Sequence, residues 1–189
     1  MRNVSITFPL SVLVIAAFIP TTLAWGQDEP DAAGSEGGNE STLLAKTRQL
    51  TFEGRRAGEG YFSADGSRMV FQSERDATNP FYQIYVTDLE TGDIEKVSPG
   101  HGKTTCAWIH PTGKRVLFAS TQDDPEARNK QKQELALRES GKQRRYAWDY
   151  DNQYELYSKE LSDGTFQRLT NAKGYDAEGS YSPDGSLIA

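Results

Sequence analysis

Three stretches of the chain share one pattern of apolar and polar positions. The pattern is a short polar turn followed by alternating side chains, and it occurs at residues 60–73, 107–120 and 179–189. After the first turn Met69 and Phe71 stand two positions apart, and Val116 and Phe118 repeat that spacing after the second turn. A period of two predicts β-strands that each commit one face to a core.

The third stretch shows the turn chemistry most clearly, as Ser182-Pro183-Asp184-Gly185. Pro presets φ at the second position, and Gly accepts a left-handed backbone at the fourth, so the tetrad predicts a hairpin turn. The second stretch replaces the first and third residues of the tetrad with His110 and Thr112, a drift that a turn tolerates.

Two further elements recur in the same order. The Tyr-x-x-x-Leu-x-x-Gly element occurs at residues 85–92 and 157–164, and a short Leu-Thr-like element at 49–51, 96–98 and 168–170. Repeats in the forties that are built from four short strands predict propeller blades. A two-sheet sandwich is the alternative, but it gives no reason for the same turn to recur in register.

We therefore predict an all-β fold, a β-propeller with about two complete four-stranded blades and the first hairpin of a third. The blade repeats are 52–98, 99–170 and a truncated 171–189, together spanning 46–189. The second repeat is about 25 residues longer than the first, which predicts a helical insertion at about 124–145. Since propeller rings have about four to eight blades, we expect the chain to be an N-terminal fragment of a longer protein.

The recurring motifs resemble the TolB-type propeller repeat. That resemblance runs from Lys46 to Ala189 and rests on the Leu-Thr element, the Ser-Pro-Asp-Gly turn, the apolar strand that ends at Phe-x-Ser, and the Tyr-x-x-Asp-Leu-x-x-Gly element. The second unit departs from the pattern at Cys106, where the other units have Glu59 and Glu178. The resemblance implies cell-envelope protein partners, and it extends to propellers attached to exported peptidases.

The N-terminus has the pattern of a secretory signal peptide. Arg2 precedes an apolar run that extends to Ile19, and small residues follow near Ala24. We predict a signal peptide at 1–24 and an exported, periplasmic or secreted protein without a membrane span after cleavage. An uncleaved membrane anchor is the alternative, but the run is shorter than the roughly 20 apolar residues of a span. Residues 27–42 are acidic and almost without large apolar side chains, which predicts a disordered linker at 25–45.

Composition excludes several protein classes. The 189-residue chain has 21 Lys and Arg against 27 Asp and Glu, a net charge of −6, which does not favour nucleic acid as a partner. One Cys and two His leave neither a disulfide framework nor a Cys/His zinc cluster. We interpret Cys106 as a small buried residue rather than a nucleophile.

The insertion holds the candidate interaction surface. Residues 125–140 favour a helix that Asp side chains would cap at its start and Gly141 would end. A basic and aromatic cluster follows, from which we select Arg144, Arg145, Tyr146, Trp148 and Tyr150. Arg, Tyr and Trp are frequent anchors of interfaces, so the cluster could bind an anionic surface or, less strongly indicated, a glycan. The alternative is a solvated helix whose aromatic tail packs on the blade edge.

No catalytic constellation accompanies these motifs. Ser63 beside Asp65 and Ser182 beside Asp184 are explained by the turns, and neither lies in a Gly-x-Ser-x-Gly elbow. We expect no catalytic, cofactor-binding or metal-binding residue. The leading hypothesis is an exported, non-catalytic protein-interaction scaffold of the cell envelope. The alternative is the N-terminal propeller domain of a longer exported peptidase, of the prolyl-oligopeptidase or zinc-aminopeptidase kind.

Overall fold

The computed structural model describes residues 45–142 and 150–189. The chain divides into two units, Met1–Thr47 and Arg48–Ala189, and all the elements below lie in the second. The predicted signal peptide and nearly all of the predicted linker fall outside the described residues. Within the described ranges, no helix combines the length and the apolar character that a membrane-spanning segment needs.

The described residues are mostly β, in two four-stranded antiparallel sheets with one helix. Each sheet is a meander in which consecutive strands are neighbours. The first sheet contains β1 (Arg56–Phe62), β2 (Arg68–Glu74), β3 (Gln83–Asp88) and β4 (Ile94–Lys96). The second contains β5 (Thr104–Ile109), β6 (Arg115–Ser120), β7 (Glu155–Glu160) and β8 (Phe166–Arg168). The prediction of two four-stranded units is confirmed.

The two sheets pack face to face around one apolar core. Val70, Ile84 and Val86 of the first sheet meet Val116 and Phe118 of the second. The core is completed by Val97, Ala107, Ile109 and Tyr157. Burial of branched and aromatic side chains of this size contributes about 1.5–3 kcal/mol each, so this layer is the main apolar link between the sheets.

The sheets are stacked in the same orientation. Val116 and Phe118 occupy the repeat positions of Met69 and Phe71, yet they face the first sheet, whereas Met69 and Phe71 lie on that sheet's opposite side. There they pack with Tyr85, Leu50 and Leu89. Stacking of equivalent faces is the relation between neighbouring blades of a propeller, whereas a sandwich pairs the two inner faces of opposed sheets.

The third repeat contributes a hairpin around the predicted turn. Tyr181 and Ile188 form an isolated antiparallel bridge, and Ser180 and Ala189 exchange backbone hydrogen bonds of 2.9 and 3.0 Å. Leu50, predicted in a short strand, instead packs on the outer face of the first sheet without strand geometry.

The helix of the insertion, α1, spans Ala127–Glu139 and joins β6 to β7. The predicted Asp cap is wrong, because the N-cap is Glu126 and makes no side-chain cap hydrogen bond. Asp124 instead accepts a hydrogen bond of 2.9 Å from the backbone of Glu126, which stabilises the turn before the helix.

Candidate interaction groove

A groove of about 1310 Å³ lies between α1 and the ends of strands β1, β2 and β5. We call it the α1 groove. It forms where the chain enters β1 and leaves β2, which is the end of both sheets from which the insertion emerges. Its walls include the following side chains: Arg55, Arg56, Glu59, Glu74, Phe81, Tyr82, Lys103, Lys130, Glu134, Arg138, Lys142, Tyr150, Asp151, Tyr154 and Tyr175.

A buried carboxylate, Glu74, ties the helix to the first sheet. Glu74 is the last residue of β2, and only 4% of its side chain is exposed. Arg56 donates to it from Nε at 2.7 Å, and Arg138 of α1 approaches it at 3.1 Å. Arg138 also donates to the carbonyl of Pro80 at 2.8 Å. A carboxylate buried without such partners would be strongly destabilising, so these contacts fix the position of the helix.

A second buried carboxylate, Asp151, holds the other end of the insertion. Its oxygen lies 2.8 Å from Nζ of Lys130 and 3.3 Å from Nζ of Lys103. Burial alone would raise the pKa of Asp151, but the two lysines outweigh burial and the pKa is lowered. Lys130 also pairs with Asp124 at 2.8 Å. The segment that follows the helix is thereby anchored to α1 and to the start of β5.

Hydrogen bonds from Gln131 complete the attachment. This buried side chain of α1 accepts the backbone N–H of Gly102 at 3.0 Å and donates to the carbonyl of Thr78 at 3.3 Å. Thr78 lies in the loop that joins β2 to β3, and Gly102 precedes β5. The helix therefore contacts both sheets. The insertion is therefore docked by polar contacts rather than solvated on all sides.

Aromatic side chains form one wall of the groove. Tyr150 stacks on Tyr175 with ring centroids 5.3 Å apart, and Tyr154 meets Tyr175 edge-on at 5.4 Å. Tyr150 is 63% exposed, so one face of its ring borders the open groove. Arg56 lies 4.4 Å from the ring centre of Tyr82. The wall offers flat apolar surface beside charged groups.

Tyr150 is the one member of the predicted interaction surface that the structure describes, and it lines the groove. Arg144, Arg145, Tyr146 and Trp148 lie outside the described residues. Sequence reasoning missed Arg55, Arg56 and Tyr175. A signal for Arg56 alone was present, since Glu74 ends an apolar strand and a carboxylate at such a position requires a cation.

Near the groove, β1 and β5 are the first strands of their sheets, and each contains a β-bulge at the same position of its repeat. Glu59 and Cys106 occupy the bulges with φ of 47° and 50°, and Glu178 has 65° at the matching position of the third repeat. Cys106 is half-buried rather than buried as predicted, and its thiol lies 3.3 Å from the Glu59 carboxylate. Burial, aided by the charge of that carboxylate, raises the pKa of Cys106 to about 12. The thiol is thus protonated at neutral pH and unsuited to nucleophilic attack.

The serine–aspartate pairs lie in turns, as predicted. Ser63 donates to Asp65 at 2.6 Å and Ser182 donates to Asp184 at 2.6 Å. His110 contacts Thr112, the carbonyl of Gly185 and the ring of Tyr181. Across residues 45–142 and 150–189, no cluster of three or more His, Cys, Asp or Glu could hold a metal ion.

Comparison with known proteins relates this architecture to TolB. No protein-family model matches the chain. The fold is similar to TolB from Acinetobacter baumannii, with a TM-score of 0.52 and 25% sequence identity over 76% of this chain and 28% of that one. It is also similar to putative TolB from Agrobacterium tumefaciens, with a TM-score of 0.50 and 19% identity over 74% of this chain and 43% of that one.

A prolyl endopeptidase structure is less similar, with a TM-score of 0.41 and 14% identity over 70% of this chain and 18% of that one. A likeness of this size carries no weight for function. The matched region of this chain covers less than half the length of either TolB protein. The resemblance to the TolB-type repeat is confirmed at the level of the fold.

Proposed function

We propose that the chain is part of an exported TolB-type β-propeller that acts as a non-catalytic protein-interaction scaffold in the cell envelope. The observation that carries the proposal is the likeness to TolB in fold, together with the TolB-type motifs that recur in order. In this proposal the two sheets are neighbouring blades, and the hairpin at Tyr181 and Ile188 begins a third.

The α1 groove is the proposed contact surface. Propellers hold their blades rigid, and segments between strands are free to vary and to bind partners. α1 stands between the second and third strands of its blade, and Tyr150 belongs both to the groove and to the predicted cluster of Arg144, Arg145, Tyr146 and Trp148. Aromatic and arginine side chains in such a setting are suited to anchor a protein partner.

Site-specific photocrosslinking in intact cells tests the proposal. A benzophenone amino acid replaces Tyr150, and the matched control replaces Phe62, which is 62% exposed at the opposite end of β1. We expect adducts with envelope proteins from position 150 and none from position 62. The same material should come from outside the cytoplasm and begin at Trp25 or Gln27. Recovery from the cytosol with Met1 intact, or equal adducts from both positions, would contradict the proposal.

The alternative is the propeller domain of a longer exported peptidase, and it has its own discriminating observation. The genomic sequence beyond the codon for Ala189 would carry either a Gly-x-Ser-x-Gly elbow or a set of zinc-binding His, Asp and Glu. Either finding would replace the scaffold by an enzyme. Further repeats followed by a stop codon would favour the scaffold.

A further inference from the structure

We propose that the α1 groove binds an extended peptide segment whose acidic side chains pair with Arg55 and Lys142. The inference rests on the proposed scaffold function and names the chemistry of the partner. The groove is a feature of this chain's own insertion, because the first repeat has no helix between its second and third strands.

The groove is held in shape before any partner arrives. Glu74, Asp151 and Gln131 bind α1 to both sheets through the contacts described above. Because α1 is already fixed, few protein groups lose conformational freedom when a partner binds. The small entropic cost favours affinity.

Charge indicates the kind of partner. Of the described side chains that line the groove, six are Lys or Arg and four are Asp or Glu, although the whole chain has a net charge of −6. Glu74 and Asp151 are buried, and each already forms ion pairs with Lys or Arg side chains of this chain. Arg55 and Lys142 are exposed, and among the described residues neither has a carboxylate partner. Two cations at the rim of a preformed groove are complementary to carboxylates spaced along a partner.

Size and wall chemistry favour a peptide over a small metabolite. The groove volume of about 1310 Å³ exceeds the roughly 300–1,000 Å³ of small-molecule pockets. The open face of Tyr150 beside Tyr175 provides an apolar platform for an aromatic or aliphatic side chain of the partner. A segment that alternates acidic and apolar residues would use both features.

The carboxylates of the groove argue against a uniformly anionic polymer. Glu59 is exposed on the groove wall and would repel a polyuronate or a nucleic acid that carries a charge on every unit. A peptide places its charges selectively and can present a neutral or basic residue to Glu59.

The test is fluorescence anisotropy with the full chain and a labelled peptide of alternating Glu and Gly around a central Trp. The comparison peptide replaces every Glu by Gln. We expect the Glu peptide to bind more weakly as salt is raised, and the Gln peptide to bind at least about tenfold more weakly. Arg55→Glu and Lys142→Glu should each weaken binding of the Glu peptide about tenfold.

Lys132→Glu is the matched control, because Lys132 is exposed on α1 but does not line the groove. It should leave binding unchanged, and circular dichroism should show all three variants folded. Equal binding of the two peptides would overturn the inference. So would binding of the Glu peptide that neither Arg55→Glu nor Lys142→Glu weakens. Stronger binding of an oligogalacturonate than of the Glu peptide would assign the groove to glycans and overturn it as well.

The crosslinking experiment separates this inference from the function on which it rests. Adducts at position 150 that persist in Arg55→Glu, without binding of the Glu peptide, would retain the scaffold and overturn only the partner chemistry. Peptide binding without any envelope adduct would sustain the groove chemistry and contradict the scaffold.

Discussion

Glu59, Cys106 and Glu178 adopt positive φ at one position of three repeats. A residue other than Gly in the left-handed region costs about 1–2 kcal/mol, and the surrounding sheet must hold it there. Each bulge changes the direction of the side chains that follow it. Tyr61 of the first sheet stacks on Trp108 of the second, with ring centroids 4.3 Å apart. Alignment of the repeats placed Cys106 opposite the two glutamates. The shared backbone conformation was not predictable, because neither Cys nor Glu marks a left-handed position.

The environment of Cys106 makes a prediction about its reactivity. With a pKa of about 12, the thiol is almost wholly protonated at pH 8, so alkylation by iodoacetamide should be much slower in the folded chain than in urea. Mass spectrometry of the labelled chain over time measures both rates. Equal rates in the two conditions would show that the thiol is accessible and ionised in the native state.

The turn at Asp65 predicts a pH dependence of stability. Hydrogen bonds from Ser63 and Ser67 lower the pKa of Asp65 from 3.8 to about 2. A carboxylate with a lowered folded pKa stabilises the fold above its unfolded pKa, and that contribution is lost as the pH falls through the folded value. The Tm advantage of the native chain over Asp65→Asn should therefore shrink between about pH 4 and pH 2.

Thermal melting at several pH values measures this effect. Glu90→Gln is the control, because Glu90 is exposed and its carboxylate has no hydrogen-bond donor among the described residues. Its Tm difference from the native chain should stay constant over the same pH range. A constant difference for Asp65→Asn would contradict the assignment of those hydrogen bonds.

At the scale of elements, α1 depends on polar contacts. Arg138→Ala removes one of the two cations that hold buried Glu74 and the donor to the carbonyl of Pro80. We expect a loss of about 1–3 kcal/mol in the free energy of unfolding, because Arg56 still pairs with Glu74. Urea denaturation measures it, and Lys132→Ala on the exposed side of the helix serves as control. Equal stabilities of the two variants would mean that the Glu74 contacts do not hold the helix.

The existence of this helix was predictable from the sequence, but its docking was not. Residues 125–140 have high helix propensity, and the structure has the helix at Ala127–Glu139. Only Ala127 and Gln131 are buried, so no apolar stripe marks the side that packs. Docking uses Arg138 and Glu74, which lie 64 positions apart, and a polar pair at that distance leaves no periodic signal.

At the scale of the molecule, local chemistry explains what the sequence could predict. The Ser-Pro-Asp-Gly turn and the strand alternation act within a few residues, and they correctly predicted two four-stranded units. The α1 groove joins side chains of the first sheet, the insertion and the segment around Tyr175. Such a site is defined by packing between repeats, which is why Arg55 and Tyr175 had no signal of their own.

The shared core predicts that the two sheets unfold together. Phe118 is fully buried, stacks on Tyr157 at 6.2 Å and packs into the layer that holds Val70 and Ile84 of the other sheet. Phe118→Ala should cost about 3–5 kcal/mol. Because the cavity lies between the sheets, hydrogen exchange should accelerate to the same extent in peptides covering β2 and in peptides covering β6.

Phe62→Ala, at a side chain that is 62% exposed, should leave exchange in both sheets nearly unchanged and so controls for loss of an aromatic ring. If Phe118→Ala accelerated exchange in β6 while β2 kept its protection, the first sheet would be stable without the interface. The sheets would then be separate folding units. One coupled response is expected instead, because the first sheet shares the core of Val70, Ile84 and Val86 with its neighbour. Exposing these side chains would cost about 1.5–3 kcal/mol each, which is large against the roughly 5–15 kcal/mol net stability of a domain.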